Sequence, residues 1–334
     1  MAENTFAELG RTEAIRTLYE GTPFKPFARA AFKPASGSEV VSASRLLLEG
    51  IDFDLVYFPL KHLGYKAVVA ATGELYAALA RPACLEISLG VSAKLDFPQV
   101  KEIWDGVVAA AVEHGYRQVL LDLSPSRNGL AVSISATGTV SAGCMKGRGQ
   151  AASKDLLCIS GRLGAAYLGQ QLLERERERF EGQDGAAAPD SLEKNRMIVG
   201  AYLKPELSSK LSERFEQAGI IPSKGILVNR GLADAMLRLG RDTGLGVKVY
   251  ADRIPFEGNS FAVGKELDID PVGAAMNGGE DYQLLFTVPI LKAEAFRRDF
   301  QDFDIIGHLA LPEAGAALVL PSGVELPVTA QGWQ

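Results

Sequence analysis

Along the chain, apolar positions fall into two periods that alternate with one another. Short runs of β-branched and apolar residues at Glu39 to Ser42, Leu85 to Val91, Gln118 to Leu123 and Ala131 to Val140 predict strands. The last of these, containing VSISATGTV, alternates polar and apolar side chains as a half-buried strand does. Between them, 63–80 and 97–114 carry helical spacing. In the second, Val100, Ile103, Trp104, Val107, Val108 and Val112 recur at helical spacing, and Gly115 stands where a helix-ending glycine is expected. Strands alternating with helices predict a layered α/β domain over residues 1–150.

The polar, small-residue stretch KGRGQAASK (146–154) predicts a hinge, and 151–334 a second α/β domain. That domain opens with a strand, 155–160, a glycine-bearing turn SGRLG and a helix beginning AAYLGQQLLERERERF. The alternating charges closing that helix read as a solvated face with local ion pairs. Residues 181–195 predict a loose surface loop. Helices are expected near 206–218 and 231–243, and strands near 246–250, 283–288 and 317–320, with a short terminal hairpin. No repeat occurs at solenoid periods.

Composition narrows the function classes. Of 334 residues, 47% are apolar and 23% charged, and the formal net charge is −6, which argues against a nucleic-acid-binding body. No apolar run reaches the roughly 18 residues of a membrane span. The first twenty residues lack the basic and apolar regions of a signal peptide. Cys84, Cys144 and Cys158 stand singly without CxxC spacing, and His62, His114 and His308 form no metal-binding pair. These features predict reduced thiols and a cytoplasmic protein that touches neither membrane nor nucleic acid.

The densest chemistry lies in NGGEDYQLLFTVP, 277–289. There Gly278 and Gly279 precede Glu280 and Asp281 on a turn leading into an apolar strand. Two carboxylates so placed suit a Mg-nucleotide or a substrate hydroxyl or amine. They suit equally a turn kept for its backbone, with the acids capping nearby amides. His62 and Lys66 share a helix face in KHLGYK, where they could contact phosphate or pack at an interface.

Five collinear segments, LLLEGIDFD (46–54), YFPLKHLGYKAVV (57–69), SGRLGAAYLGQQLLERE (160–176), LKPE (203–206) and NGGEDYQLLFTVP, together resemble the thiamine-monophosphate kinase family. That family is related to aminoimidazole ribonucleotide synthetase. The resemblance implies a two-domain synthetase-like α/β fold pairing as a homodimer through its N-terminal domain. It also implies ATP and Mg²⁺ as cofactors, and phosphoryl transfer from ATP to thiamine monophosphate to give thiamine diphosphate. Closely spaced phosphates need several Mg²⁺ ions, and those ions need carboxylates.

The expected carboxylates are largely replaced. Residues 23–38 contain no acid where the family has a glycine-rich Asp-Asp turn. Arg45 stands for an aspartate, Glu74 for the last aspartate of an Asn-x-Ser-Asp motif, and Arg162 for the aspartate of a Ser-Gly-Asp-Leu-Gly turn. Asp122 survives without its neighbouring glycines, and Leu227 and Arg230 replace both aspartates of an Asp-x-Ser-Asp-Gly-Leu motif. Arginine cannot ligate a cation, and at 4 Å it repels one by about 4 kcal/mol per ion charge at an effective dielectric near 20.

The resemblance thus predicts a member that has lost most Mg-binding carboxylates, with no residue set convincing as a metal site. Gly278, Gly279, Glu280, Asp281, Asp122 and Glu74 are expected as remnants of the substrate and nucleotide site. Arg45, Arg162, Leu227 and Arg230 occupy former metal positions. The expected partner of such a paralogue is a phosphorylated small molecule or a protein, the alternatives being a kinase with a reduced metal site or a structural dimerisation partner. The arginines either grip an anion directly or pair with Asp122, Glu280 or Asp281, and the second option makes the 280–281 carboxylates partners for arginine.

Overall fold

The computed structural model describes residues 5–182 and 189–329. The chain divides into two compact units, one of residues 1–75 and 80–142, the other of 76–79 and 143–334.

In the first unit the order is α1 (Phe6–Tyr19), β1 (Glu39–Leu48), α2 (Leu60–Ala77), β2 (Arg81–Ser92), α3 (Phe97–Glu113), β3 (Gln118–Ser126) and β4 (Ala131–Val140). The strands form one sheet in the order β1-β4-β2-β3, parallel only between β2 and β3. That parallel pair is joined by α3, as a crossover requires. Apolar spacing along α3 buries Val100, Ile103, Trp104 and Val107, and its start is fixed by a capping box between Asp96 and Gln99. Strand β1 is longer than the four residues expected from sequence. Its pairing with β4 continues unbroken from Glu39↔Val140 to Leu48↔Ala131, so ladder hydrogen bonds carry it through the apolar LLL that alternation alone could not assign.

Elements α4 (Ala142–Gly147), β5 (Leu156–Ile159), α5 (Ala165–Gly182), α6 (Pro189–Lys194), α7 (Arg196–Leu203), α8 (Leu211–Ala218), β6 (Lys224–Val228), α9 (Leu232–Thr243) and β7 (Gly246–Tyr250) follow. They lead to α10 (Ser260–Leu267), α11 (Pro271–Asn277), β8 (Gln283–Val288), α12 (Ala293–Asp299), β9 (Asp304–Ala310), β10 (Ala316–Val319) and β11 (Glu325–Pro327). The second unit's sheet runs β11-β10-β7-β9-β5-β8-β6. Strand β5 is buried throughout, and Leu157, Ile159, Leu227, Val228, Leu285 and Phe286 on β5, β6 and β8 are wholly inaccessible. The terminal hairpin expected from sequence is β10–β11.

Three local expectations need correction. The stretch 181–195 is helical where described, as the end of α5 and as α6; residues 183–188 lie outside the described part. The helix expected from 206 starts at Leu211, because Pro205 and the residues after it run as loop and turn. Of the hinge stretch 146–154, the first two residues end α4 and the remainder is tied down. Lys154 N–H donates to the Leu309 carbonyl at 2.7 Å, and Ala152 N–H to the Asp155 carboxylate at 2.9 Å.

Candidate functional site

In the second unit, β5 and β6 both run antiparallel to β8, with Ile159 opposite Leu285 and Val228 opposite Gln283. The carboxyl ends of β5 and β6 therefore flank the start of β8 at about 4.8 Å per strand. This register brings three loops together at one sheet edge: 160–164, 229–231 and 277–282. Their backbones touch. The Glu280 N–H donates to the Asn229 carbonyl at 2.9 Å, and a Cβ on Gly279 would lie 2.9 Å from that same oxygen. A Cβ on Gly231 would lie 2.4 Å from the Met276 carbonyl. With φ of +78° and +88° these two positions take glycine for both reasons. Glu280 and Tyr282 adopt φ of 64° and 50° without that freedom, so the turn holds them in a sparsely populated conformation.

Asp281 is 4% exposed, and its two oxygens accept from the Gly164 N–H at 2.8 Å and the Ala166 N–H at 3.2 Å. It caps α5 from across the sheet, so its charge sits where the helix dipole favours it. Burial outweighs the two amides and pushes the carboxyl up to about 7, with the neighbouring Glu280 charge adding to the rise. Glu280 accepts from the Tyr282 hydroxyl at 3.2 Å. Ser160 donates its hydroxyl to Gln283 Oε1 at 2.8 Å and accepts from the Leu284 N–H at 2.9 Å, locking the first loop to β8.

The expected pairing of arginine with Asp281 is therefore corrected. Asp281 faces the backbone amides of the 160–164 loop and the start of α5 instead. Arg162 lies 3.7 Å from Asp304 with both side chains more than half exposed, a contact worth about 0–1 kcal/mol. Arg230 is exposed and has no hydrogen-bond or ion-pair partner among the described residues. Leu227 is core, opposite Leu284 in the ladder. The side-chain oxygens of Asn229 and Asn277 are buried without a hydrogen-bond donor.

The remaining predicted positions belong to the first unit. Arg45 on β1 and Glu74 on α2 form an ion pair at 2.5 Å, each side chain about one-fifth exposed. Asp122 on β3 is held by Arg11 of α1, which also donates to the Leu123 carbonyl at 2.9 Å. Sequence spacing gave no signal for Arg11, which comes from 111 residues away on a helix not anticipated. Lys66 is buried with its ammonium 5.2 Å from the centre of the Phe58 ring.

A Mg²⁺ site needs several oxygen ligands on one point. Glu74 is engaged by Arg45, Asp122 by Arg11 and Asp281 by amides. Among the described residues no group of three or more His, Cys, Asp and Glu side chains is placed to hold a metal ion. The residues present do not fit the cation.

The family model for the AIR synthase related protein, N-terminal domain, matches residues 28–140. A thiamine-monophosphate kinase of Synechococcus elongatus is 27% identical over 290 residues, covering 85% of this chain and 84% of the relative. That of Aquifex aeolicus is 27% identical over 247 residues, covering 73% and 74%. The solved structure of AaThiL complexed with AMPPCP and TMP superposes with a TM-score of 0.72 at 21% identity, covering 96% of each chain. The two α/β units carry the fold of the superposed structure. The chain is similar over most of its length to thiamine-monophosphate kinases, and over residues 28–140 to the AIR synthase related N-terminal domain.

Proposed function

We propose that this chain is a non-catalytic member of the thiamine-monophosphate kinase family that binds a phosphorylated small molecule without Mg²⁺ and does not transfer phosphate from ATP to thiamine monophosphate. The engagement of its acids carries the reading. Glu74 and Asp122 are neutralised by arginines, and Asp281 is turned into a helix cap. Restoring a metal would require breaking these contacts and desolvating a cation beside guanidinium groups. Arg230, exposed on the loop that packs against Gly279, can instead donate two parallel hydrogen bonds to a phosphate oxygen pair. The buried acceptor oxygens of Asn229 and Asn277 suit N–H groups on the same ligand.

A homodimer fits as well. Strand β1 pairs only with β4 among the described residues and exposes Val40, Leu46 and Leu48. The three buried cysteines, none in a disulfide, suit the reducing cytoplasm, and no helix among the described residues is long and apolar enough to cross a membrane.

Incubation of the purified chain with ATP, Mg²⁺ and thiamine monophosphate is expected to yield no thiamine diphosphate above background. Calorimetric titration with thiamine monophosphate in EDTA is expected to show binding that Arg230→Gln weakens by about tenfold. Turnover that disappears on Asp122→Asn or Glu280→Gln would establish a working kinase with a reduced metal site. That is the reading favoured by the activity named for the relatives covering most of the chain.

A further inference from the structure

Away from the three loops, the second unit has an open cleft of about 470 Å³ between the residues that follow β7 and the α12–β9 connection. Arg253 and Arg297 both line it, with Gln301 beside them and the buried rings of Phe296 and Phe300 beneath. Those rings stack at 4.9 Å and 6°, so the floor is rigid and apolar. The volume falls in the range of small-molecule sites.

The charge arrangement is lopsided. Three of the nearby carboxylates already have a cation; Asp252 and Glu294, exposed and outside the cleft lining, have none among the described residues. Asp302 receives both guanidinium nitrogens of Arg214 at 2.7 and 2.8 Å. Asp299 receives two from Arg298 at 2.7 and 2.9 Å. Asp304, on the cleft wall, faces Arg162 at 3.7 Å. Neither Arg253 nor Arg297 has an ion-pair partner among the described residues, although the Arg253 guanidinium sits over the Tyr250 ring, 5.0 Å from its centre. A cation–π contact of this kind orients a guanidinium while leaving donors free. Two like charges in one concavity repel each other, and an anion between them removes the repulsion while accepting hydrogen bonds from both.

We infer that this cleft is an anion site for the dianionic head of a small phosphomonoester, gripped by Arg253 and Arg297 with the Gln301 amide as a third donor. Two guanidinium groups match the charge of a phosphate dianion, and Arg162 at the rim is free to leave Asp304 for it, since their exposed contact is weak. The cleft's lining includes no residue of the 229–231 loop that carries Arg230.

The probe is inorganic phosphate, titrated calorimetrically into the full chain at constant ionic strength. Saturable binding is expected. The double variant Arg253→Gln/Arg297→Gln should bind at this cleft at least about tenfold more weakly, and Arg230→Gln should leave that component unchanged. Both arginines are exposed, so the variant should keep its melting temperature; if it does not fold, Arg297→Gln alone carries the comparison. Absence of saturable phosphate binding, or binding that persists undiminished in the cleft variant, overturns the inference. Loss of binding only in Arg230→Gln would overturn it too while leaving the loop-edge reading intact.

Discussion

Asp281 carries a measurable signature. Its carboxyl is pushed up to about 7 by burial, against an ordinary value near 4. Between roughly pH 4 and pH 7 the folded chain holds a proton there that the unfolded chain has released, so stability falls as pH rises through that window. Asp281→Asn removes the titration. Urea unfolding at pH 5 and pH 8 should show the native chain losing stability that the variant keeps, by roughly a few kcal/mol. Parallel losses in both proteins would refute the assignment. At this scale the sequence was informative about kind and silent about direction. The Gly-Gly-Glu-Asp turn marks two acids on a tight loop, but which of them turns inward depends on left-handed backbone at Glu280 and Tyr282 that no local pattern announces. The Arg45–Glu74 pair is of the expected type, whereas Arg11–Asp122 joins residues too distant in sequence to be matched by spacing.

Among the elements, α2 and α3 cross with backbone almost on backbone. A Cβ on Gly64 would lie 1.9 Å from the Ile103 carbonyl oxygen, and one on Gly106 would lie 1.9 Å from that of Lys61. Alanine improves helix propensity by about 1 kcal/mol, yet here it must force the helices apart, so Gly106→Ala should destabilise by about 1–3 kcal/mol. Gly200→Ala in α7, where a Cβ meets nothing within 4 Å, should instead stabilise by about 0.5–1 kcal/mol. Denaturant midpoints of the two variants test the contrast, and shifts of the same sign would reject it. Long, strongly periodic elements such as α3, β4 and α9 are readable because their own side chains define the buried face. The short helices α10, α11 and α12 and strand β9 escape sequence reading because each takes its boundaries from neighbours. Asp270 caps α11 through the Val272 and Gly273 amides, and β9 breaks register beside Leu157 and Cys158.

For the whole molecule, the free edge of β1 is the feature with the largest consequence for assembly. Val40, Leu46 and Leu48 are 47%, 57% and 38% exposed on a ten-residue strand, an arrangement that favours a second chain over solvent. Sedimentation is expected to give a dimer, and Leu46→Lys to shift it toward monomer at micromolar concentration; a native monomer would remove this reading. The edge exposure was not legible in the sequence, since LLLEG reads as core until its neighbours are placed.

The cap on α5 has a further meaning as competition. Asp281 is an acceptor attached to the same chain as the amides it occupies, so its effective concentration at them is set by geometry and is of millimolar order or above. A free phosphate arriving from solution must displace a resident that cannot diffuse away. The helix start is in that sense already liganded, and recognition of an outside anion at this sheet edge falls to side chains with reach, foremost Arg230.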